Sequence, residues 1–584
     1  MKNLILSITA LLLAICTNAQ DLKLQWSAGK PADNKVNGFF KSYVASNETN
    51  VYAKFEVTKG MSRKKRLFPT VILQAIDKKT LKKNGEVVLF DAQKAAKTSS
   101  KEMLRYHSTL AFDNLVYVFW LQEGKEKDEL HVQTFDANLK KVQKLKKIYE
   151  VKHLDGRGNK NGEIFIAHNE STKKIAIGAE MSGKKESTIK VEFKVLNEDL
   201  SVSAANKIEL PFQILSTYDG RICNYAVAEG ERLIIHAVIR DEADGSEESN
   251  KRKRRAEYIT YPVMTIVDMN TGEYKNLPFQ FDDKNVFDFR YTVGDDFIKF
   301  TGFFCDLSRD VKGRVTHGIF TVDIDLYSNT MQSPKFSYFD KALMNEVYAD
   351  DKKDQVIAKS KRKKKKTDEN SIAGSYVVEE EIVFENGDVV LFCSMMNNYS
   401  STTCDANGNC TTRYYCNKRN VTAFKLDKNG EIVWAKNIDR SITYGSWYIY
   451  DVEVVFDEKE NIFYCTYGNI LENETGNEKA KKRKKDDLRM NFEYATFDGE
   501  SGHAKKHTLE VDKETTAKKD RKYLSPTSIA AIDNQFYTHY TKTGRRPGFY
   551  LNCLGSIVCW PLAFNLMNPA HLKGTGYYGT IVPQ

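Results

Sequence analysis

The segment from Leu104 to Asp136, LRYHSTLAFDNLVYVFWLQEGKEKDELHVQTFD, decides the fold class. Leu104 to Leu110 alternates apolar and polar residues, the period of a half-buried strand. Asp113-Asn114 is a turn signal. Leu115 to Leu121 (LVYVFWL) is an apolar, aromatic run bounded by polar residues, as a strand buried on both faces requires. Glu123 to Glu129 is a charged loop. Leu130 to Phe135 is a third strand that stops at Asp136, and Val142 to Ile148 supplies a short fourth.

The same order recurs along the chain. Units begin at Phe39, Leu104, Ile164, Ile222, Val286, Glu380, Val452 and Thr527. Most turn through polar pairs such as Glu229-Gly230, Asn386-Gly387 and Asp533-Asn534. Asp77, Asp136, Asp268, Asp427 and Asp498 end third strands. In the last unit the third strand is expected at Gly548 to Cys553. A four-stranded unit cannot bury both of its faces alone, whereas radial stacking buries them and leaves short edges. The pattern resembles that of β-propeller repeat proteins of the exported, envelope-associated type. The resemblance implies an all-β fold of seven or eight four-stranded blades over residues 39–565. It rests on order and spacing, without the repeated Trp-Asp of WD40 blades or a kelch-type Gly-Gly pair. Two packed β-sandwich domains are the structural alternative.

Outside that span, residues 20–38 read as an N-terminal extension and 566–584 as a C-terminal tail. A lysine-rich insertion, 338–375, separates the fifth and sixth units. Residues 1–19 read as a signal peptide: Lys2, an apolar run from Leu4 to Ala14, and Thr17-Asn18-Ala19 before the expected cut. Ile15 argues against Cys16 as a lipidated residue, since that site calls for a small side chain before the cysteine. No stretch of about 18 apolar residues follows, so a soluble mature chain is expected, periplasmic, on the cell surface or extracellular. The net charge of +10, one unit of it on Lys2, is modest for 584 residues and calls for no nucleic-acid partner.

Basic clusters recur between second and third strands. They include Arg63, Lys64, Lys65 and Arg66; Lys251 to Arg255; and Lys481, Lys482 and Arg483 with Lys484-Lys485. The insertion adds Lys361, Arg362, Lys363 and Lys364. In an antiparallel four-stranded blade these loops share one end with the blade-to-blade connections, so the clusters are expected on one face. That face is the candidate site for an anionic glycan, a lipid headgroup or a protein partner. The charge is partly self-neutralised. Residues 241–257 hold five bases against six acids, and 472–487 six against five; only 351–369 is lopsided, nine against four.

Cys404 and Cys410 bracket a hairpin tip, and Cys553 and Cys559 a tight turn; both pairs are candidate disulfides in an oxidising compartment. Asp405, Asn407 and Asn409 echo a calcium loop, but Cys410 and Cys416 stand where it wants Gly and Glu. His503 and His507 are four apart on a loop leading into a strand, which does not place them as metal ligands. Cys223, Cys305, Cys393 and Cys465 sit in apolar runs and read as core residues. No Gly-x-Ser-x-Gly, phosphate-binding glycine loop or His-Glu-x-x-His occurs, and five Trp are too few for a quinoprotein's docking motifs. No catalytic residue, cofactor or metal is expected. The functional expectation is a non-catalytic binding or scaffold protein of the bacterial cell envelope. The alternative is a propeller-type lyase or glycosidase acting on an anionic glycan.

Overall fold

A computed structural model of the chain describes residues 22–26, 35–37, 39–57, 70–90, 104–124, 126–153, 164–181, 188–211, 223–241, 259–309, 315–341, 343, 372–373, 375–404, 410–445, 452–468, 492–508, 510–511, 528–543 and 573–583. The strands form eight principal sheets, seven antiparallel throughout and the eighth with one parallel pair, Lys23 opposite Glu510. Sheet 1 is Phe39–Ser46, Asn50–Val57, Thr70–Asp77 and Lys83–Phe90. Sheet 2 is Leu104–Phe112, Leu115–Glu123, Lys127–Asp136 and Lys146–Lys152. Sheet 3 is Ile164–Asn169, Lys174–Met181, Ile189–Leu196 and Val202–Leu210. Sheet 4 is Cys223–Ala228, Arg232–Asp241, Ile259–Asp268 and Tyr274–Pro278. Sheet 5 is Lys284–Val293, Phe297–Asp306 and Gly318–Asp325, the last flanked by Thr330–Met331 and Lys335–Tyr338. Sheet 6 is Ser375–Val383, Val389–Cys404, Cys410–Leu426 and Ile432–Gly445. Sheet 7 is Glu453–Asp457, Ile462–Gly468, Phe492–Asp498 and Ala504–Thr508.

Sheet 8 joins the two ends of the chain. Ser528–Ile532, Gln535–Thr543 and Lys573–Pro583 are its first three strands, and Leu22–Trp26 is its fourth, with Leu24 opposite Ile581. This corrects the sequence reading in two places. Residues 20–38 and 566–584 were expected outside the repeat, yet both contribute paired strands. The third strand of the last unit is Lys573–Pro583, not Gly548 to Cys553, which lies outside the described residues. The correction has a physical cause: an open ring would leave the third strand's outer edge unpaired, and pairing the two ends removes that edge.

The sheets contact one another in a closed order. Tyr52 Oη donates to Ala137 O across sheets 1 and 2 (3.0 Å), and Tyr117 Oη to Glu198 O across 2 and 3 (2.7 Å). Tyr225 Oη donates to Glu180 Oε1 (3 to 4, 2.6 Å), and Arg232 Nη1 to Asn329 Oδ1 (4 to 5). Arg290 Nε donates to Val378 O (5 to 6, 3.1 Å), and Lys425 Nζ to Gly499 O (6 to 7, 2.9 Å). Ala531 N–H donates to Glu453 Oε2 (7 to 8, 2.7 Å), and Tyr43 Oη to Thr538 O, returning from sheet 8 to sheet 1 (2.9 Å). First strands touch first strands between sheets 1 and 2, 3 and 4, 5 and 6, 6 and 7, 7 and 8, and 8 and 1, so they line the axis. The chain is therefore an eight-bladed β-propeller, and two sandwiches are excluded because every sheet has two different neighbours.

The apolar cores lie between sheets, as radial stacking requires. Tyr117, Phe119 and Leu130 of sheet 2 pack on Ile175, Ile177 and Leu196 of sheet 3. Phe303 and Ile319 of sheet 5 meet Tyr376, Leu391 and Phe424 of sheet 6. Full burial of each such side chain contributes roughly 1.5–3 kcal/mol. Cys305, Cys393 and Cys465 are fully buried, as expected, while the side chain of Cys223 lies outside the described residues. Among the described residues no helix is long and apolar enough to cross a membrane.

The two ends of the propeller differ. First-to-second strand turns are short: Asp113-Asn114 and Asp533-Asn534 use two residues each. Asp533 and Asn534 both adopt positive φ (49° and 55°), the geometry of the hairpin turn that matches strand twist. Antiparallel pairing puts the second-to-third and sheet-to-sheet connections at the opposite end, and most of those are long. The strand end at Val57 is joined to Thr70, Asp241 to Ile259, and Gly468 to Phe492. The insertion expected at 338–375 is bounded by Tyr338 and Ser375, and Ile372–Ala373 pairs with Val315–Thr316.

Candidate functional site: an inter-blade cleft at the axis

Two β-bulges face each other where sheets 5 and 6 meet at the axis. In the first strand of sheet 5 the register slips between Phe287 and Phe289, leaving Asp288 as the extra residue at φ 45°. In the first strand of sheet 6 it slips between Val378 and Glu380, leaving Glu379 extra. A bulge re-aims side chains and bends its strand. Here Arg290 Nε donates to Val378 O, and Val378 N–H points at Asp288 Oδ1 (3.4 Å), so one bulge is tied to the other.

Below the bulges a cleft of about 230 Å³ is lined by Arg290, Tyr291, Thr292, Glu379, Glu380 and Glu381. Its carboxyls are not equivalent. Glu379 pairs with Lys418 Nζ at 2.7 Å and 3.0 Å, with both side chains only 5% exposed. Glu381 accepts from Thr292 Oγ1 (2.8 Å), lies beside the Thr301 hydroxyl and is otherwise buried. Desolvation pushes the Glu381 carboxyl up to about 7. Burial likewise raises Asp288 to about 6, and raises Glu380 beside Glu379. Lys299, opposite Thr292 on the second strand of sheet 5, is held by Asp323 at 2.7 Å. On the far side of sheet 6, the fully buried Arg440 donates to Ser394 Oγ (3.4 Å).

The cleft thus presents three carboxyls and one guanidinium whose main-chain contacts fix it. It can hold a hydrogen-bond donor or a small cationic group. Among the described residues no three His, Cys, Asp or Glu are grouped to hold a metal ion. His507 stacks on Tyr494 (4.7 Å) and bonds Thr496 Oγ1 (2.9 Å), which makes it a packing residue of sheet 7.

The residues singled out from the sequence fall elsewhere. Arg63, Lys64, Lys65, Arg66, Lys361, Arg362, Lys363, Lys364, Lys481, Lys482 and Arg483 lie outside the described residues, as do Cys553 and Cys559. The strand ends flanking the basic clusters all belong to the long-connection end. Cys404 and Cys410 occupy the last rung of one hairpin, as Cα partners. The cleft escaped the sequence reading. Its one signal was Glu379-Glu380-Glu381, three carboxyls interrupting the strand pattern VVEEEIV at 377–383.

No family model matches the chain, and no curated protein is similar to it in sequence. Solved structures are similar only distantly. The WD40 domain of SCAP from fission yeast is 8% identical, with a TM-score of 0.38 over 95% of this chain and 98% of that one. The cobalt-substituted apocarotenoid oxygenase of Synechocystis is 9% identical, with a TM-score of 0.31 over 69% of this chain and 74% of that one. Similarity this low carries no argument, and the eight-bladed assignment stands on strand pairing and sheet contacts alone.

Proposed function

We propose that this protein is a non-catalytic, exported binding or scaffold protein of the bacterial cell envelope that meets an anionic ligand or a protein through the long-connection end. The observation that carries the reading is the asymmetry of the two ends. Turns at one end are pared to two to five residues between first and second strands, while the other end is joined by long segments in which the basic clusters recur. A rigid ring with elaborated loops on one face is built to present those loops.

Charge decides which segment matters most. Self-neutralised segments attract a polyanion weakly, because exposed charges are screened beyond about 8 Å at physiological ionic strength. The insertion, with nine bases against four acids over 351–369, is the strongest anion-binding segment. Heparin and lipopolysaccharide binding by the purified chain tests this. Neutralising Lys361 to Lys366 is expected to weaken binding at least tenfold and to flatten its salt dependence, and neutralising Lys481 to Lys485 to weaken it less. Weak binding that neither change alters contradicts the anion reading.

The alternative, a lyase or glycosidase acting on an anionic glycan, has one group in its favour. Glu381 is held in the protonation range of a general acid. The lining offers an anionic substrate one guanidinium, Arg290, and that group is already held by main-chain carbonyls.

A further inference from the structure

Sheet 6 is longer than its neighbours. Its second, third and fourth strands run 16, 17 and 14 residues, whereas those of sheet 2 run 9, 10 and 7. The first strand of sheet 6 stops at Ser375, opposite Met396, so residues 397–404 continue about 26 Å past it at roughly 3.3 Å per residue. The fourth strand ends at Gly445, opposite Tyr415. From the Ser400–Tyr414 rung to the Cys404–Cys410 rung, the arm has two strands among the described residues. A two-stranded ribbon is marginally stable alone.

Cys404 and Cys410 are Cα partners on the last rung. Directly opposed residues of an antiparallel pair have Cα atoms about 4.5–5.5 Å apart, within the roughly 4.4–6.8 Å that a disulfide spans. Two rungs inward, on the same face, the hydroxyls of Thr402 and Thr412 are 2.9 Å apart, so the ribbon is closely apposed there. Cys416 stands opposite Asn398, six residues down the strand from Cys410 and about 20 Å away, too far to compete.

We infer that Cys404 and Cys410 form a disulfide that closes the tip of this arm around residues 405–409. Each thiol gives up its proton, and the new S–S bond releases two electrons. These pass to the disulfide of an oxidised exchange partner, such as oxidised glutathione, whose sulfurs leave as thiols. The arm becomes a covalently closed projection at the end of the molecule that carries the long connections. The bond does not rest on export, because the oxidant can be supplied in solution.

The full chain is incubated with oxidised glutathione, denatured, alkylated without reductant and mapped by mass spectrometry. The expected result is that Cys404 and Cys410 escape alkylation, their shared peptide is lighter by two hydrogens, and both react once reductant is added. Alkylation of both before reduction overturns the inference, and so does a link from either to Cys416 or to a second chain. In a Cys404→Ser/Cys410→Ser variant, limited proteolysis of residues 397–417 is expected to be several-fold faster with the unfolding temperature of the body unchanged. Unchanged proteolysis contradicts the staple.

Discussion

His236 is the residue whose chemistry is most at odds with its place. It lies on the second strand of sheet 4 against Phe289 and Tyr291 of sheet 5, with ring centroids at 5.0 Å and 5.7 Å, and neither ring nitrogen finds a hydrogen bond. Burial pushes it down to about 4 from 6.5. The unfolded chain therefore takes up a proton below about pH 6.5 that the folded chain refuses until about pH 4. Stability present above pH 6.5 is lost as pH falls through that window, by up to about 3 kcal/mol. Glu381 and Asp288 act in the opposite sense. Their folded values are raised, so their contribution is full at acid pH and lost as pH rises toward 7 and 6. His236→Phe separates the two effects: its unfolding temperature is expected to fall less than wild type's between pH 7 and pH 5, and an equal fall contradicts the assignment. The Glu379–Lys418 pair gives a second test. Lys418→Met strands a buried carboxylate and is expected to cost about 3–5 kcal/mol, whereas the double variant with Glu379→Gln recovers most of it. Thermal unfolding of the three chains measures this, and equal losses in the single and double variants count against it.

At the scale of elements, the sequence was most legible where one residue type does one job repeatedly. The Asp that closes a third strand accepts from backbone N–H groups of the following turn. Asp77 does so from Thr80 (2.7 Å), Asp136 from Lys140 (2.8 Å), Asp268 from Thr271 (2.8 Å), Asp427 from Asn429 (2.8 Å) and Asp498 from Ser501 (2.7 Å). Those bonds hold the Asp268 carboxyl below the usual range. Asp268→Ala is expected to cost about 1–2 kcal/mol, and Asp268→Asn, which keeps the acceptor, markedly less. Chemical denaturation of both variants checks it, and equal losses contradict the turn's role. Strand order and turn positions followed from local pattern because each turn is built from neighbours in sequence. The cleft was not legible because its walls come from strands about 90 residues apart, and the one-residue phase slip of each bulge says nothing of what stands opposite it. The closing strand was missed for a related reason. Leu22–Trp26 and Lys573–Pro583 each lack a sequence-local partner, so neither looks like part of a unit.

At the scale of the whole molecule, the last sheet is completed by the first residues of the described chain, which ties together the ring that the contacts of sheet 8 with sheet 1 close. The expected cut after Ala19 leaves Leu22–Trp26 in the mature protein with two residues before it. The proposed cut would therefore spare the closing strand, which pairs with Lys573–Pro583 along its whole length. Leu24 and Ile581 are Cα partners at that seam, and the chain is otherwise continuous around the axis. The most direct measurement is crosslinking of Leu24→Cys with Ile581→Cys in the native full chain, read by intact mass and by mapping after oxidation. Closure predicts rapid, near-complete formation of the 24–581 disulfide within one chain. An open or differently paired seam predicts that the two thiols stay free or link separate chains, and that result would contradict closure of the last blade by the two chain ends.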